Sequence, residues 1–205
     1  MATQSHHGAI RRLLPALLCL AGVAAADDMA AHHHEHMLMA GTMAANVNLS
    51  LPGVQLVRAQ DERAVSLAGE LDDGRPVVLD FIYTTCTTVC PLMSQTMAGF
   101  QSRLGVNGTG VHLVSISIDP EQDTPERLRD YARRFHAGPG WQQYTGTLAA
   151  SVTAQQAFGV YRGDKMRHAP VTFLRAAPGQ PWRRIDGFLT PDQLLHEYQQ
   201  VLAGS

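Results

Sequence analysis

The chain has 205 residues, 45% hydrophobic, 17% charged and 6% aromatic. These proportions describe one ordinary globular domain with a tail and exclude a collagen, a low-complexity chain or a repeat array. A formal net charge of −2 supplies no basic field, so no nucleic-acid partner is expected. Three cysteines, Cys19, Cys86 and Cys90, are too few to staple a chain long enough to bury its own core, so they read as chemistry or as accident.

Residues 1–26 read as a secretory signal peptide: Arg11 and Arg12 precede an apolar run from Leu13 that ends in Ala24-Ala25-Ala26 before Asp27. As a helix that run is roughly 21 Å long against a hydrocarbon core of ~30 Å, so cleavage is favoured over a spanning anchor. The paired arginines also fit the route that exports folded proteins. Leu18 before Cys19 is too large for a lipoprotein cleavage site. The chain is therefore expected to be exported, to the periplasm or the outer face of the inner membrane, keeping only Cys86 and Cys90. In an oxidising compartment such a pair closes unless a metal or a reductase protects it.

Residues 27–47 lack apolar periodicity and read as a flexible arm. It is rich in His32, His33, His34, His36, Met37 and Met39, with Met29 and Met43 at its flanks. Imidazoles bind copper, zinc and nickel, and thioethers suit Cu(I), so the arm suggests weak copper capture; a solvated linker that binds nothing is the plain alternative.

The pattern becomes globular over residues 48–205. Residues 54–57 and 64–67 read as short entrance strands, and residues 76–83 as a continuous buried strand. After the cysteine loop, Leu92, Met93, Met97, Phe100 and Leu104 mark one face of a helix. Residues 111–118 read as a further strand, and Thr124-Pro125 opens a helix carrying Leu128, Tyr131 and Phe135. Residues 148–158 suggest another helix. Residues 171–174 and 183–186 pair across a Pro/Gly turn, and Thr190-Pro191 opens a last helix with Leu194, Leu195, Tyr198 and Leu202 inward. This order predicts an α/β fold, thioredoxin-like, with three layers, a central mixed sheet and an N-terminal strand extension. It puts the cysteines beyond the carboxyl end of a buried strand, where sites in open α/β sheets lie.

Pro91 fits a first helical turn, which makes Cys90 the expected N-cap and leaves Cys86 in the preceding loop. The positive end of a helix favours thiolate over thiol, the form that both ligates metals and attacks disulfides. The spacing leaves both outcomes open. A purely structural disulfide closing so short a loop gains roughly 2 kcal/mol or less.

Tyr83-Thr84-Thr85-Cys86-Thr87-Thr88-Val89-Cys90-Pro91, then residues 117–126 with Asp119-Pro120 and Asp123-Thr124-Pro125-Glu126, then Trp141 through Thr145-Gly146, then His168 before Val171-Thr172-Phe173-Leu174 together resemble the Sco/SenC family. The resemblance covers about residues 50–203. It implies a thioredoxin fold, membrane proximity, and a copper chaperone that serves the binuclear copper centre of cytochrome c oxidase subunit II or another exported copper acceptor. Some members are thiol-disulfide reductases. By this resemblance Cys86, Cys90 and His168 are the ligands of one copper ion, Cu(I) or Cu(II), and Cys86 and Cys90 are the redox pair if the chain is a reductase. Two departures bear on that choice. Thr87-Thr88 stands where the family usually has Pro-Asp, removing a carboxylate and favouring thiolates. Pro170 lies near where thioredoxin-like reductases carry a cis-proline. Asp119 and Asp123 read as strand termination and loop, on the same rim as Cys86. No peroxidatic cysteine pattern surrounds Cys86.

Overall fold

The computed structural model describes residues 1–2, 41–105 and 110–204. The signal segment beyond residue 2 and the arm through residue 40, with His32, His33, His34, His36, Met37 and Met39, lie outside the described residues. Among those described, no helix is long and apolar enough to cross a membrane.

The strands are Met43–Val47 (β1), Gln55–Arg58 (β2), Ala64–Ser66 (β3), Val77–Ile82 (β4), His112–Ser117 (β5), Trp141–Thr145 (β6), Val171–Arg175 (β7) and Trp182–Asp186 (β8). The helices are Leu67–Leu71 (α1), Val89–Leu104 (α2), Pro125–Arg134 (α3), Leu148–Ala157 (α4) and Pro191–Ala203 (α5). One mixed sheet takes the order β1-β8-β7-β4-β5-β6-β2-β3. Its centre, β4, β5 and β6, is parallel; β7 and β8 return antiparallel beside β4, and β2 and β3 extend the far edge.

Both faces of β4 and β5 are buried, so β4 is apolar but for Asp80, while β5 buries His112, Ser115 and Ser117 among its apolar residues. Alternation along β4 and β7 sends Leu79, Phe81 and Phe173 to one face, where Phe158, Trp182 and Ala154 of α4 complete a core. Val78 and Leu174 point the other way, to Met97 and Phe100 of α2 and Leu194 and Tyr198 of α5. This is the expected three-layer α/β fold. Gly99 lets the two helices on that second face meet: a Cβ there would lie 2.5 Å from Pro191 Cγ.

Thr124 and Thr190 cap α3 and α5 as their sequences predict, Thr190 in a capping box with Gln193. Four expectations are corrected. Met43–Val47, assigned to the arm, pairs antiparallel with β8. Thr88, not Cys90, is the N-cap of α2; its own side chain makes no capping bond, and the Cys86 sulfur takes that role. Leu202 is exposed at 39%. Pro170 is joined by a trans peptide, as are all described residues.

Candidate metal and thiol centre

The site grows from the carboxyl end of β4. Tyr83 is buried, Thr84 and Thr85 form a turn, and Cys86 Sγ accepts a hydrogen bond from the Cys90 backbone N–H at 3.3 Å. The backbone of this turn is itself closed by Cys86 N–H donating to the Tyr83 carbonyl at 3.2 Å. The two thiols are free and buried, Cys86 at 8% exposure and Cys90 at 0%.

Their electrostatics differ. Burial opposes the Cys86 thiolate, but backbone N–H groups of Cys90 and Thr88, the Cys90 thiol and the Tyr83 hydroxyl together outweigh it and lower its pKa below the ordinary thiol value. Burial pushes the Cys90 thiol up instead, and the neighbouring Cys86 and Asp80 charges push it further. Cys86 is thus the more acidic thiol and Cys90 the one that holds its proton more tightly.

The turn after β5 ties the site together. Asp123 is buried and accepts from the Thr84 hydroxyl at 2.6 Å, the Ser117 hydroxyl at 2.6 Å and the Thr84 N–H at 3.2 Å. Burial raises its pKa against those bonds. Asp119 accepts from Lys165 Nζ at 2.5 Å. The same turn therefore anchors the cysteine loop through Asp123 and the histidine loop through Asp119, a positional role the sequence pattern left as mere strand termination.

His168 follows a single 3-10 turn, Lys165–Arg167. Its Nε2 lies 2.8 Å from the Phe81 carbonyl. A carbonyl only accepts, so Nε2 carries the proton and Nδ1 the lone pair in the neutral ring. Burial lowers the His168 pKa, favouring that neutral form. Metal-ligating histidines commonly donate their other N–H to a backbone carbonyl in this way. The ring also stands edge-on to Tyr83, centroids 6.4 Å apart, and Tyr83 in turn reaches Cys86. The structure thus brings Cys86 and Cys90 together and sets His168 on the same rim. Among the described residues no three His, Cys, Asp or Glu side chains stand close enough to hold one ion, so a three-ligand set needs these side chains to draw closer together.

Asp80 escaped the sequence reading. It is fully buried on β4, accepts from Ser115 Oγ at 2.6 Å, and leaves Oδ2 without a partner. Burial pushes its pKa up to about 7. The readable signal was a carboxylate inside the apolar run Val77-Val78-Leu79-Asp80-Phe81-Ile82. Trp141 is buried as well, its Nε1 donating to Ser115 Oγ at 2.9 Å.

The chain is similar to two kinds of curated relative. A SCO1 protein homolog of Bacillus subtilis is 36% identical over 88 residues, 42% of this chain and 45% of that protein. A thiol:disulfide interchange protein TxlA homolog of Synechocystis is 34% identical over 77 residues, 38% of this chain and 40% of that protein. The chain thus spans less than half the length of these curated relatives. Arabidopsis thaliana ScoI, solved with copper bound, has the same thioredoxin-like fold at a TM-score of 0.63 and 23% identity, covering 76% of this chain and 100% of that one. BsSco, a member of the Sco family of cytochrome c oxidase assembly proteins, does so at 0.64 and 23%, covering 80% and 99%. The SCO1/SenC family model matches residues 57–203, from β2 through the cysteine loop and His168 to the last helix, and the chain belongs to that family.

Proposed function

We propose that this chain is an exported copper metallochaperone. It holds one copper ion on Cys86, Cys90 and His168 and passes it by ligand exchange to the copper centre of cytochrome c oxidase subunit II or to another exported copper acceptor. The work is done in the periplasm or at the outer face of the inner membrane, and residues 1–26 act as the export signal. The observation that carries this reading is the sulfur pair at the start of α2, with Cys86 held toward thiolate by N–H groups. Two sulfurs and an imidazole are soft enough for Cu(I) and also hold Cu(II). The tautomer set by Phe81 leaves His168 a lone pair for the metal, and the copper-bound Arabidopsis relative supports the choice of ion.

Copper titration of the reduced full chain tests this. About one tightly held ion per folded domain is expected beyond weak sites in the arm, and Cys86→Ser or Cys90→Ser should abolish it, since each removes a thiolate. Unchanged tight binding in both variants overturns the reading. Affinity should fall on acidification as thiols and imidazole take up protons.

A second reading is a thiol-disulfide oxidoreductase, favoured by the split between the two thiols and by the TxlA relative. Cys86 thiolate would attack a substrate disulfide and expel one substrate thiolate. Cys90, losing its proton, would then displace the second as the Cys86–Cys90 disulfide forms. An external dithiol would restore the pair. His168 separates the readings: His168→Ala should lose most copper affinity yet still cycle its disulfide.

A further inference from the structure

The residue between Lys165 and Arg167 has no part in the ligand set above. Met166 is 74% exposed on its 3-10 turn, but its thioether is directed inward: Sδ lies 3.9 Å from the Tyr83 hydroxyl. Tyr83 also adjoins the cysteine loop, its carbonyl accepting from the Cys86 N–H at 3.2 Å. Two soft donors, a cysteine sulfur and an accessible thioether, therefore flank one tyrosine at the mouth of the site. Lys165 holds the turn in place from both sides, paired with Asp119 and lying over the Tyr83 ring at 5.7 Å.

A cation that prefers sulfur would find this arrangement before it reached Cys90, which is wholly buried. Thioethers bind Cu(I) without a charge to neutralise and without releasing a proton, so they accept and give up the ion readily. We propose, resting on the copper reading above, that Met166 is a further copper ligand of this chain. It receives Cu(I) at the rim, shares it with Cys86, and stays bound as the ion settles on Cys86, Cys90 and His168. In that step the Tyr83 hydroxyl swings aside and keeps its proton, a Cu–Sδ bond forms as the incoming carrier's bond breaks, and copper stays Cu(I) throughout. Met166 sits two residues before His168 on the same loop, so the movement that brings the imidazole in also moves the thioether.

The test uses the reduced full chain, labelled with carbon-13 at its methionine methyl groups and titrated with Cu(I) supplied as its acetonitrile complex. The Met166 methyl resonance, assigned by its absence in Met166→Leu, should shift with the first equivalent and stay in place in Cys86→Ser. Leucine keeps bulk and apolarity at this exposed position, so the variant folds. It should take Cu(I) from a competing chelator about tenfold more slowly. A Met166 resonance that stays still while copper binds in a Cys86-dependent manner overturns this inference and leaves the chaperone reading intact. A shift with unchanged uptake by Met166→Leu also overturns it, because the methyl then only senses its neighbours. Copper uptake indifferent to both cysteines overturns the inference and the chaperone reading together.

Discussion

The two loops that make the candidate centre are held in opposite ways. The cysteine loop leaves a strand buried along its whole length and enters a sixteen-residue helix, with its turn clamped by the Thr84 N–H and hydroxyl, both donating to Asp123. The histidine loop has a three-residue turn, an ion pair to Asp119, a hydrogen bond from His168 to Phe81, and contacts of Lys165, Met166 and His168 with Tyr83. Rigid elements preset the sulfurs and their charge. The histidine loop sets the tautomer of its imidazole. On the proposed chaperone reading, the third ligand, His168, sits on the less firmly held loop, which suits a cargo that must be both seized and released.

Perturbing the rigid side should have the largest effects. Asp80 titrates at about 7 in the folded chain against an ordinary 3.8. The folded state favours its neutral form, so stability is intact below about pH 4, falls as pH rises to about 7, and stays reduced above. The span is roughly 4 kcal/mol. Asp80→Asn removes it: in urea unfolding the variant should gain on the parent from about pH 4 to about pH 7, and a constant difference would show that Asp80 does not titrate there. Asp123→Ala comes next. It strips acceptors from the Thr84 N–H, the Thr84 hydroxyl and the Ser117 hydroxyl and should cost about 3 kcal/mol. The Cys86 pKa, followed by thiolate absorbance, should rise toward that of an ordinary thiol. An unmoved Cys86 pKa would mean that the clamp does not shape the loop.

Gly99→Ala is a control away from both loops. Its Cβ would lie 2.5 and 2.9 Å from Pro191 ring atoms, a cost of about 2 kcal/mol, with copper affinity unchanged. Smallest is Asp119→Asn. Lys165 is more than a third exposed, so the lost pair is worth less than about 1 kcal/mol. Amide exchange should nevertheless quicken over residues 164–168 and stay constant over residues 84–90; equal quickening in both would erase the distinction between the loops.

The sequence was legible where burial writes a pattern. Residues 76–83 announced β4, and Thr124-Pro125 and Thr190-Pro191 announced their helices, because apolar runs and caps are local signals. It was silent where backbone pairing or buried amides do the holding. β1 is largely exposed and is kept by its ladder with β8, so it has no hydrophobic period to read. β6 hides two glutamines in Trp-Gln-Gln-Tyr-Thr, and one, Gln143, is buried against Gln60 at 2.5 Å. In the site, the cysteines and His168 were readable from motif, whereas the inequality of the thiols was not. It depends on which sulfur meets the α2 N–H groups and which is the more deeply buried, and only the packed chain decides that.

Whether His168 joins the sulfurs when copper arrives is read most directly from its imidazole nitrogens. Nitrogen-15 spectra of the reduced full chain, with His168→Ala to assign the ring, should show Nε2 protonated before copper. On one equivalent of Cu(I), the Nδ1 resonance should shift while Nε2 keeps its proton. Both His168 resonances unmoved, with copper held by Cys86 and Cys90, would contradict a three-ligand site.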